Sequence, residues 1–172
     1  MPANGSGPPE AHASSGLFDE HRDVVRPEWI DENGHFNMGY YVVAFDRATD
    51  AWLHHIGLTA SKRERSGVTT FTLESHVNYL GEVLEAAPLR FTTRLLGFDQ
   101  KRIHYFHEMY HATEGFLAAT NELMSLHVNL ETRRGGVMAE DVLARLADIL
   151  SRHQTLPLPP QIGRRIGLDA RP

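Results

Sequence analysis

The chain has 172 residues, with 17 Lys and Arg against 22 Asp and Glu, which gives a formal net charge of −5. Hydrophobic residues make up 41%, a balance that excludes a wholly disordered protein and is typical of one domain with a single core. No apolar run approaches the roughly 20 residues that span a bilayer, and the acidic charge argues against a nucleic-acid partner. Cysteine is absent, which excludes disulfide scaffolds and thiolate sites and is compatible with a reducing cytoplasm.

Composition changes near residues 17 and 155 and predicts three segments. Met1–Gly16 is rich in Pro, Gly, Ser and Ala and lacks the apolar stretch of a secretory signal, so we expect a disordered N-terminal tail. Residues 17–155 are then expected to form one domain. Residues 156–172 are Pro-rich and then Arg-spotted, which predicts a C-terminal arm on the surface.

The first predicted elements are a strand, a turn-rich loop and a long helix. His21–Arg26 is short and β-branched and precedes a proline, as strands that close into loops often do. Pro27–Asn37 is dense in turn-forming residues. From Met38 to Ile56, apolar residues recur every three or four positions, which predicts a helix with one buried face and Asn37 as its cap.

The rest of the domain has mainly the period of strands. A charged loop is expected over Ser61–Gly67. Four segments rich in β-branched and aromatic residues follow, separated by turn signals: Val68–Leu80, Leu89–Phe98, Lys101–His111 and Phe116–Leu130. Ala139–His153 has the pattern of an amphipathic helix. A long helix covering one face of a five-stranded antiparallel sheet makes an α+β domain.

His107 to His111 spells the H-E-x-x-H signature of zinc proteases. The signature binds zinc only on a helix, where residues four apart share a face at short distance. Its neighbours here are aromatic and β-branched, which predicts a strand. On a strand, residues four apart lie about 13 Å from each other, too far for two imidazoles to reach one metal. We therefore expect no metal site.

Asp31 lies in a glycine-bent loop that leads into the N-terminus of the long helix. Backbone N–H groups at such a terminus favour negative charge and could hold a developing oxyanion. Asp31 could then act on a carbonyl carbon or on water. The alternative is that Asp31 and Asn37 serve only as turn and capping residues.

This stretch resembles the motif D-x-x-G-H-x-N-N-x-x-Y of hotdog-fold acyl-CoA thioesterases of the 4-hydroxybenzoyl-CoA type. The positions in register are Asp31, Gly34, His35, Asn37, Tyr41, Phe45 and Asp46. The resemblance is closer to the betainyl-CoA thioesterases of carnitine breakdown, which also occur fused to L-carnitine dehydrogenase. The residues on which this closer resemblance rests lie between positions 27 and 128. They include the stretches Pro27-Glu28-Trp29, Thr72-Leu73-Glu74-Ser75-His76 and Asp99-Gln100-Lys101-Arg102.

The resemblance implies a hotdog fold and hydrolysis of a small acyl-CoA, most specifically betainyl-CoA, without a cofactor. An alternative on the same fold is a thioesterase for aromatic or short-chain acyl-CoA. A second alternative is a non-catalytic acyl-CoA-binding protein. Hotdog proteins of that kind that regulate transcription carry a helix-turn-helix, and Met1–Gly16 is too short and too poor in helix formers to supply one.

The resemblance also implies roles for the residues of the loop. Asp31 attacks the thioester carbonyl or activates water, and the sequence leaves both roles open. The backbone N–H near Met38 stabilises the oxyanion, while His35 and Asn37 position the substrate or brace the loop. Two positions depart from the family pattern: Met38 replaces a common Asn, and Asp46 replaces the usual Glu.

Glu74 lies in the middle of a predicted strand, where a carboxylate is costly unless it is paired or functional. Either it pairs with Arg102 or His104 on a neighbouring strand, or it faces a trimethylammonium head. In the second case, we expect Trp29 or Tyr40 to contribute cation–π contact.

Coenzyme A brings several phosphates to an acidic protein, so local cations are needed. Lys101 and Arg102 are the first candidates, followed by two similar pairs, Lys62-Arg63 and Arg133-Arg134.

The sheet of such a domain has exposed edges that proteins pair or cover. The resemblance implies that two subunits join at these edges, so we expect a homodimer or a higher homo-oligomer with the active site at the interface.

Overall fold

The computed structural model of the protein describes residues 16–168, so the predicted tail lies outside the described residues except for Gly16. The elements in chain order are β1 (Phe18–Val24), a 3-10 turn (Pro27–Trp29), α1 (Met38–His55), α2 (Ala60–Ser66), β2 (Val68–Tyr79), β3 (Pro88–Phe98), β4 (Arg102–His111), β5 (Leu117–Asn129), β6 (Arg134–Gly135) and α3 (Glu140–His153). The predicted order of strand, long helix, four strands and helix is confirmed. None of the helices within residues 16–168 is long and apolar enough to cross a membrane.

The strands form one antiparallel sheet in the order β1-β3-β4-β5-β2, and the two-residue β6, which was not predicted, pairs with the end of β5. Strand β2 therefore lies at an edge. Along it, Ser75 pairs with Leu123 and Tyr79 pairs with Ala119. The register shifts between Thr72 and Glu74, where β2 carries a bulge.

Helix α1 lies across the inner face of this sheet and buries its apolar side there. Around Phe45, which is fully buried, the core contains the aromatic residues Trp29, Phe36, Tyr41 and Phe91. Around Trp52, also fully buried, it contains Phe18, Leu95, Tyr105 and Leu146. The first group of aromatic residues surrounds the start of α1, and it is this group that fixes the loop before the helix.

The prediction of a loop over Ser61–Gly67 is wrong, because α2 occupies most of it. The Thr59 side chain caps the helix by accepting a hydrogen bond from Lys62 N at 3.2 Å. Gly67 ends it with a φ of 62°, a left-handed conformation that suits glycine. No residue of α2 is buried, so the helix has no apolar period by which its sequence could have shown it.

The H-E-x-x-H signature lies on strand β4, as expected from its neighbours. His107 is fully buried and hydrogen-bonds Thr49 through Nε2 at 3.0 Å and Thr93 through Nδ1 at 2.8 Å. Both ring nitrogens therefore have protein partners. Burial lowers the pKa of His107 to about 3, so the imidazole is neutral.

The end of α3 meets the residues before β1 beside the sheet. At the end of α3, His153 accepts a hydrogen bond from Leu95 N through Nδ1 at 2.8 Å. Its Nε2 hydrogen-bonds the Gly16 carbonyl at 3.1 Å, directly before β1. Arg94 donates to the carbonyls of His153 and Leu156, which holds the start of the C-terminal arm against β3.

Candidate active site

The loop before α1 is closed by its own backbone. Asp31 N donates to the His35 carbonyl at 2.9 Å, and Gly34 N donates to the Asp31 carbonyl at 3.0 Å. Gly34 has a φ of 81°, which a residue with a side chain adopts only with strain. The prediction of a glycine-bent loop is therefore confirmed, because this turn needs glycine.

Both flanks of the loop are tied to other segments. Phe36 N donates to the Val83 carbonyl at 3.0 Å, and Asn37 N donates to the Trp29 carbonyl at 2.9 Å. Phe36 also stacks on Trp29 and on Tyr41, with ring centroids 5.7 Å and 4.1 Å away. Asp31 is thus carried by a short loop whose ends are fixed to the core.

The Asp31 carboxylate is oriented by backbone donors. Its Oδ1 accepts hydrogen bonds from Asn33 N at 2.8 Å and from His35 N at 3.2 Å. The bond from His35, followed by that from Asn33, lowers the pKa of Asp31 below its ordinary value. The carboxylate is therefore ionised at neutral pH, and among residues 16–168 no backbone N–H donates to its Oδ2.

Helix α1 begins beside this carboxylate. Asn37 caps it by accepting a hydrogen bond from Gly39 N at 2.9 Å. The Met38 N–H has no hydrogen-bond acceptor among residues 16–168, and the Met38 side chain is 70% exposed. A free N–H at the first turn of an 18-residue helix is positioned to bind negative charge.

These groups line one cleft of about 600 Å³. All four predicted catalytic positions border it, namely Asp31, His35, Asn37 and Met38. The opposite wall comes from the end of β2 and the segment after it. There Tyr79 donates to the Met38 carbonyl at 3.2 Å, and Glu82 lies 3.7 Å from His35 Nε2.

Tyr79 and Glu82 were not among the predicted site residues, because neither belongs to the loop motif. Tyr41 does belong to it, and its hydroxyl donates to the Gly81 carbonyl at 3.4 Å. Burial raises the pKa of Tyr41 to about 12, so this tyrosine remains a neutral donor.

Trp29 and Tyr40 do not border the cleft. Trp29 is 3% exposed, and its ring stacks with Tyr40 at a centroid distance of 5.8 Å. The guanidinium carbons of Arg26 and Arg47 each lie 5.0 Å from the Trp29 ring centroid. The cation–π positions on this indole are therefore occupied by the chain's own arginines.

Glu74 lies on the outer face of the sheet, away from α1. It borders a pocket with His76, His104 and Glu122. Neither predicted partner forms an ion pair with Glu74 within the described part of the chain: His104 pairs with Glu122 at 2.8 Å, and Arg102 pairs with Asp99.

Lys101 and Arg102 lie at the far end of the sheet from the Asp31 cleft. Arg102 on β4 pairs with Leu126 on β5, and Leu126 in turn pairs with Phe71 on β2. The cleft borders Tyr79, eight residues further along β2, which corresponds to about 26 Å. The two cations border a separate open pocket of about 450 Å³.

The chain matches the model of the Thioesterase-like superfamily over residues 25–166. The chain belongs to this superfamily. A protein from Pseudomonas aeruginosa named betainyl-CoA thioesterase is 44% identical over 144 residues, which cover 84% of this chain and 91% of the relative. The superfamily match spans the loop, the cleft and both faces of the sheet.

Two other relatives of this thioesterase-like chain extend the comparison. A protein from Agrobacterium fabrum named L-carnitine dehydrogenase/betainyl-CoA thioesterase is 38% identical over 85% of this chain, which spans 30% of that longer protein. A Staphylococcus aureus structure determined in complex with CoA is 31% identical, with a TM-score of 0.83 over 89% of this chain and 96% of that one. The predicted hotdog fold and its α+β class are confirmed.

Proposed function

We propose that the protein is a thioesterase that hydrolyses betainyl-CoA, or an acyl-CoA with a similar quaternary ammonium group, to the free acid and CoA. The observation that carries this proposal is the cleft in which the Asp31 carboxylate lies beside the Met38 N–H at a helix start. The 44% identity to a betainyl-CoA thioesterase over most of both chains supports the choice of acyl group. The absence of cysteine supports the predicted cytoplasmic location.

The two groups divide the chemistry of thioester hydrolysis. The thioester carbonyl oxygen accepts a hydrogen bond from the Met38 N–H. The N-terminus of the helix stabilises the negative charge that develops on this oxygen. Asp31 lies on the other side of the carbonyl group. It provides the oxygen atom that attacks the carbonyl carbon, either its own or that of a water molecule. The C–S bond then breaks, CoA leaves as its thiol after taking a proton, and the acid is released.

Asp31 can supply that oxygen in two ways. As a nucleophile it forms a mixed anhydride, which water then hydrolyses. As a general base it removes a proton from an attacking water. Both routes need the ionised carboxylate, which the hydrogen bonds from Asn33 N and His35 N favour. His35 and Asn37 complete the proposal by positioning the loop and the acyl group.

We further propose that two copies pair through the free edge of β2. This edge is 12 residues long and carries Phe71 and Leu73, which are 40% and 56% exposed. Antiparallel pairing of two β2 strands brings the Phe71 end of one copy towards the Tyr79 end of the other. Lys101 and Arg102 of the second copy thereby approach the Asp31 cleft, where they can meet the phosphates of CoA.

A panel of acyl-CoA substrates, with detection of the released thiol, tests the proposed function. Betainyl-CoA should give the highest kcat/KM, above acetyl-, butyryl- and benzoyl-CoA. A higher kcat/KM on an aromatic or short-chain substrate would instead assign the enzyme to that class. Binding of acyl-CoA without thiol release would make the protein an acyl-CoA-binding protein and refute the proposal.

A further inference from the structure

A second cavity, of about 310 Å³, lies between α1 and the inner face of the sheet. Helix α1 contributes Val42, Val43, Asp46 and Thr49 to it, and the strands contribute Thr72, Ser75, Asn121 and Leu123. None of these positions was predicted to bind substrate. The sequence marks Asp46 only as an acidic position in the motif, in place of a glutamate.

This cavity continues the groove that begins at the Asp31 cleft. Met38 borders the cleft, and Val42 and Asp46 follow it at intervals of four residues, so all three lie on one face of α1. On the facing strand, Tyr79 borders the cleft and Ser75 borders the cavity. The groove between α1 and β2 thus leads from the proposed oxyanion position to Asp46.

Three polar side chains in the wall of the cavity are hydrogen-bonded within the protein. Asn121 is 2% exposed, and its Oδ1 accepts a hydrogen bond from Ser75 at 2.8 Å. The Thr49 hydroxyl hydrogen-bonds His107 at 3.0 Å. The remaining wall is largely apolar side chain, and Asp46 is the one charged residue that borders the cavity within residues 16–168.

Asp46 has no cationic partner within the described part of the chain. Asp46 is an exposed residue of α1 that borders the cavity, and partial desolvation there, followed by the nearby Asp50 carboxylate, raises its pKa above its ordinary value. Both effects disfavour the negative charge, and a cation in the cavity would offset them. A quaternary ammonium suits such a site, because it has no N–H to donate and combines one positive charge with a shell of methyl groups.

The distances allow an acyl group held at the Met38 N–H to extend along the groove towards Asp46. Met38 and Asp46 are separated by about 12 Å along the helix axis, and the Asp46 side chain leans back towards the helix start. In a betainyl thioester, the ammonium nitrogen is two bonds from the carbonyl carbon. With its carbonyl oxygen about 3 Å from the Met38 nitrogen, an extended betainyl group carries the ammonium at most about 7 Å along the groove, so the Asp46 carboxylate acts on it through space across the rest of the cavity.

We propose that this cavity is the subsite for the cationic head of the acyl group and that Asp46 is its counter-ion, in place of Glu74 on the outer face. The inference rests on the proposed function and adds to it a residue that determines specificity.

The test compares betainyl-CoA with 3,3-dimethylbutyryl-CoA, a neutral isostere in which carbon replaces the ammonium nitrogen. The wild-type protein should prefer the cation. Asp46→Asn should lower the ratio of the two kcat/KM values at least tenfold, chiefly through KM for betainyl-CoA. Hydrolysis of the neutral isostere at the wild-type rate shows that the variant is folded.

Asp50→Asn is the matched control, since it removes the same charge one turn further along α1, outside the cavity lining. It should leave the ratio within about twofold. An equal loss on both substrates in Asp46→Asn would overturn the inference, as would loss of cation preference in Glu74→Gln alone. A wild-type protein that hydrolyses both substrates equally well refutes the subsite but keeps the thioesterase, whereas one that hydrolyses neither refutes the proposed function itself.

Discussion

The His35 N–H donates to Asp31 Oδ1 at 3.2 Å, across a turn in which the Asp31 N–H also donates to the His35 carbonyl at 2.9 Å. These reciprocal bonds orient the carboxylate without using the His35 side chain. The imidazole is left free to approach Glu82, 3.7 Å away on the opposite wall of the cleft. The backbone of residue 35 therefore positions Asp31, and its side chain is available to the substrate.

The first prediction concerns the charge of Asp31. Asp31→Asn keeps the size of the side chain but removes the nucleophilic or basic oxygen. Turnover on the best acyl-CoA should fall at least 100-fold, about 2.7 kcal/mol of barrier. The melting temperature should change little, because Asp31 lies at the surface of the cleft. Glu32→Gln, one residue further along the exposed loop, is the control. An Asp31→Asn variant with more than a tenth of wild-type turnover would exclude a catalytic carboxylate here.

The second prediction concerns stability in mild acid. Because burial lowers the pKa of His107 to about 3 from an ordinary 6.5, only the unfolded chain binds this proton between those values. The free energy of unfolding should therefore fall with pH below 6.5, by up to about 1.4 kcal/mol per pH unit from this residue.

Urea unfolding at pH 7, 6 and 5 measures this dependence. His107→Gln should be less stable at pH 7, since the Thr49 and Thr93 hydroxyls lose well-placed partners, but its stability should fall less steeply with acid. His54→Gln, at an exposed position of α1, should keep the wild-type slope. Equal slopes in His107→Gln and wild type would show that His107 does not titrate as a buried neutral group.

The third prediction concerns the edge of β2. Light scattering at micromolar concentration should give the mass of a dimer or a larger assembly. Leu73→Glu places a charge at the exposed bulge of this edge and should weaken association at least tenfold. Leu158→Glu is the control, because Leu158 is a similarly exposed apolar residue, 68% accessible, on the C-terminal arm. A monomeric wild-type protein would contradict the proposed pairing.

The strand and helix periods allowed most of the fold to be predicted, because α1 and the strands each bury one side in a shared core. The loop motif likewise located Asp31 and the start of α1. Helix α2 was missed, because a helix that buries nothing has no apolar period. The role of Asp46 was missed as well, since only the fold shows that its helix face and the inner face of β2 enclose a cavity.

Glu74 shows why the face of the sheet on which a side chain lies could not be predicted from the sequence. Alternation along an unbroken strand puts Glu74 on the same face as Thr72, which borders the inner cavity. The bulge between these residues shifts the register by one, so Glu74 points outward and Ser75 takes the inward position. A single extra residue thereby moved a carboxylate from one face of the sheet to the other.

The bond from His153 to the Gly16 carbonyl brings the first strand and the last helix of the domain within 3.1 Å of each other. If the domain has the bounds that the sequence predicts, a partner joined at either end would not separate its elements. Its ends can also be linked to each other by a short peptide and the chain reopened elsewhere.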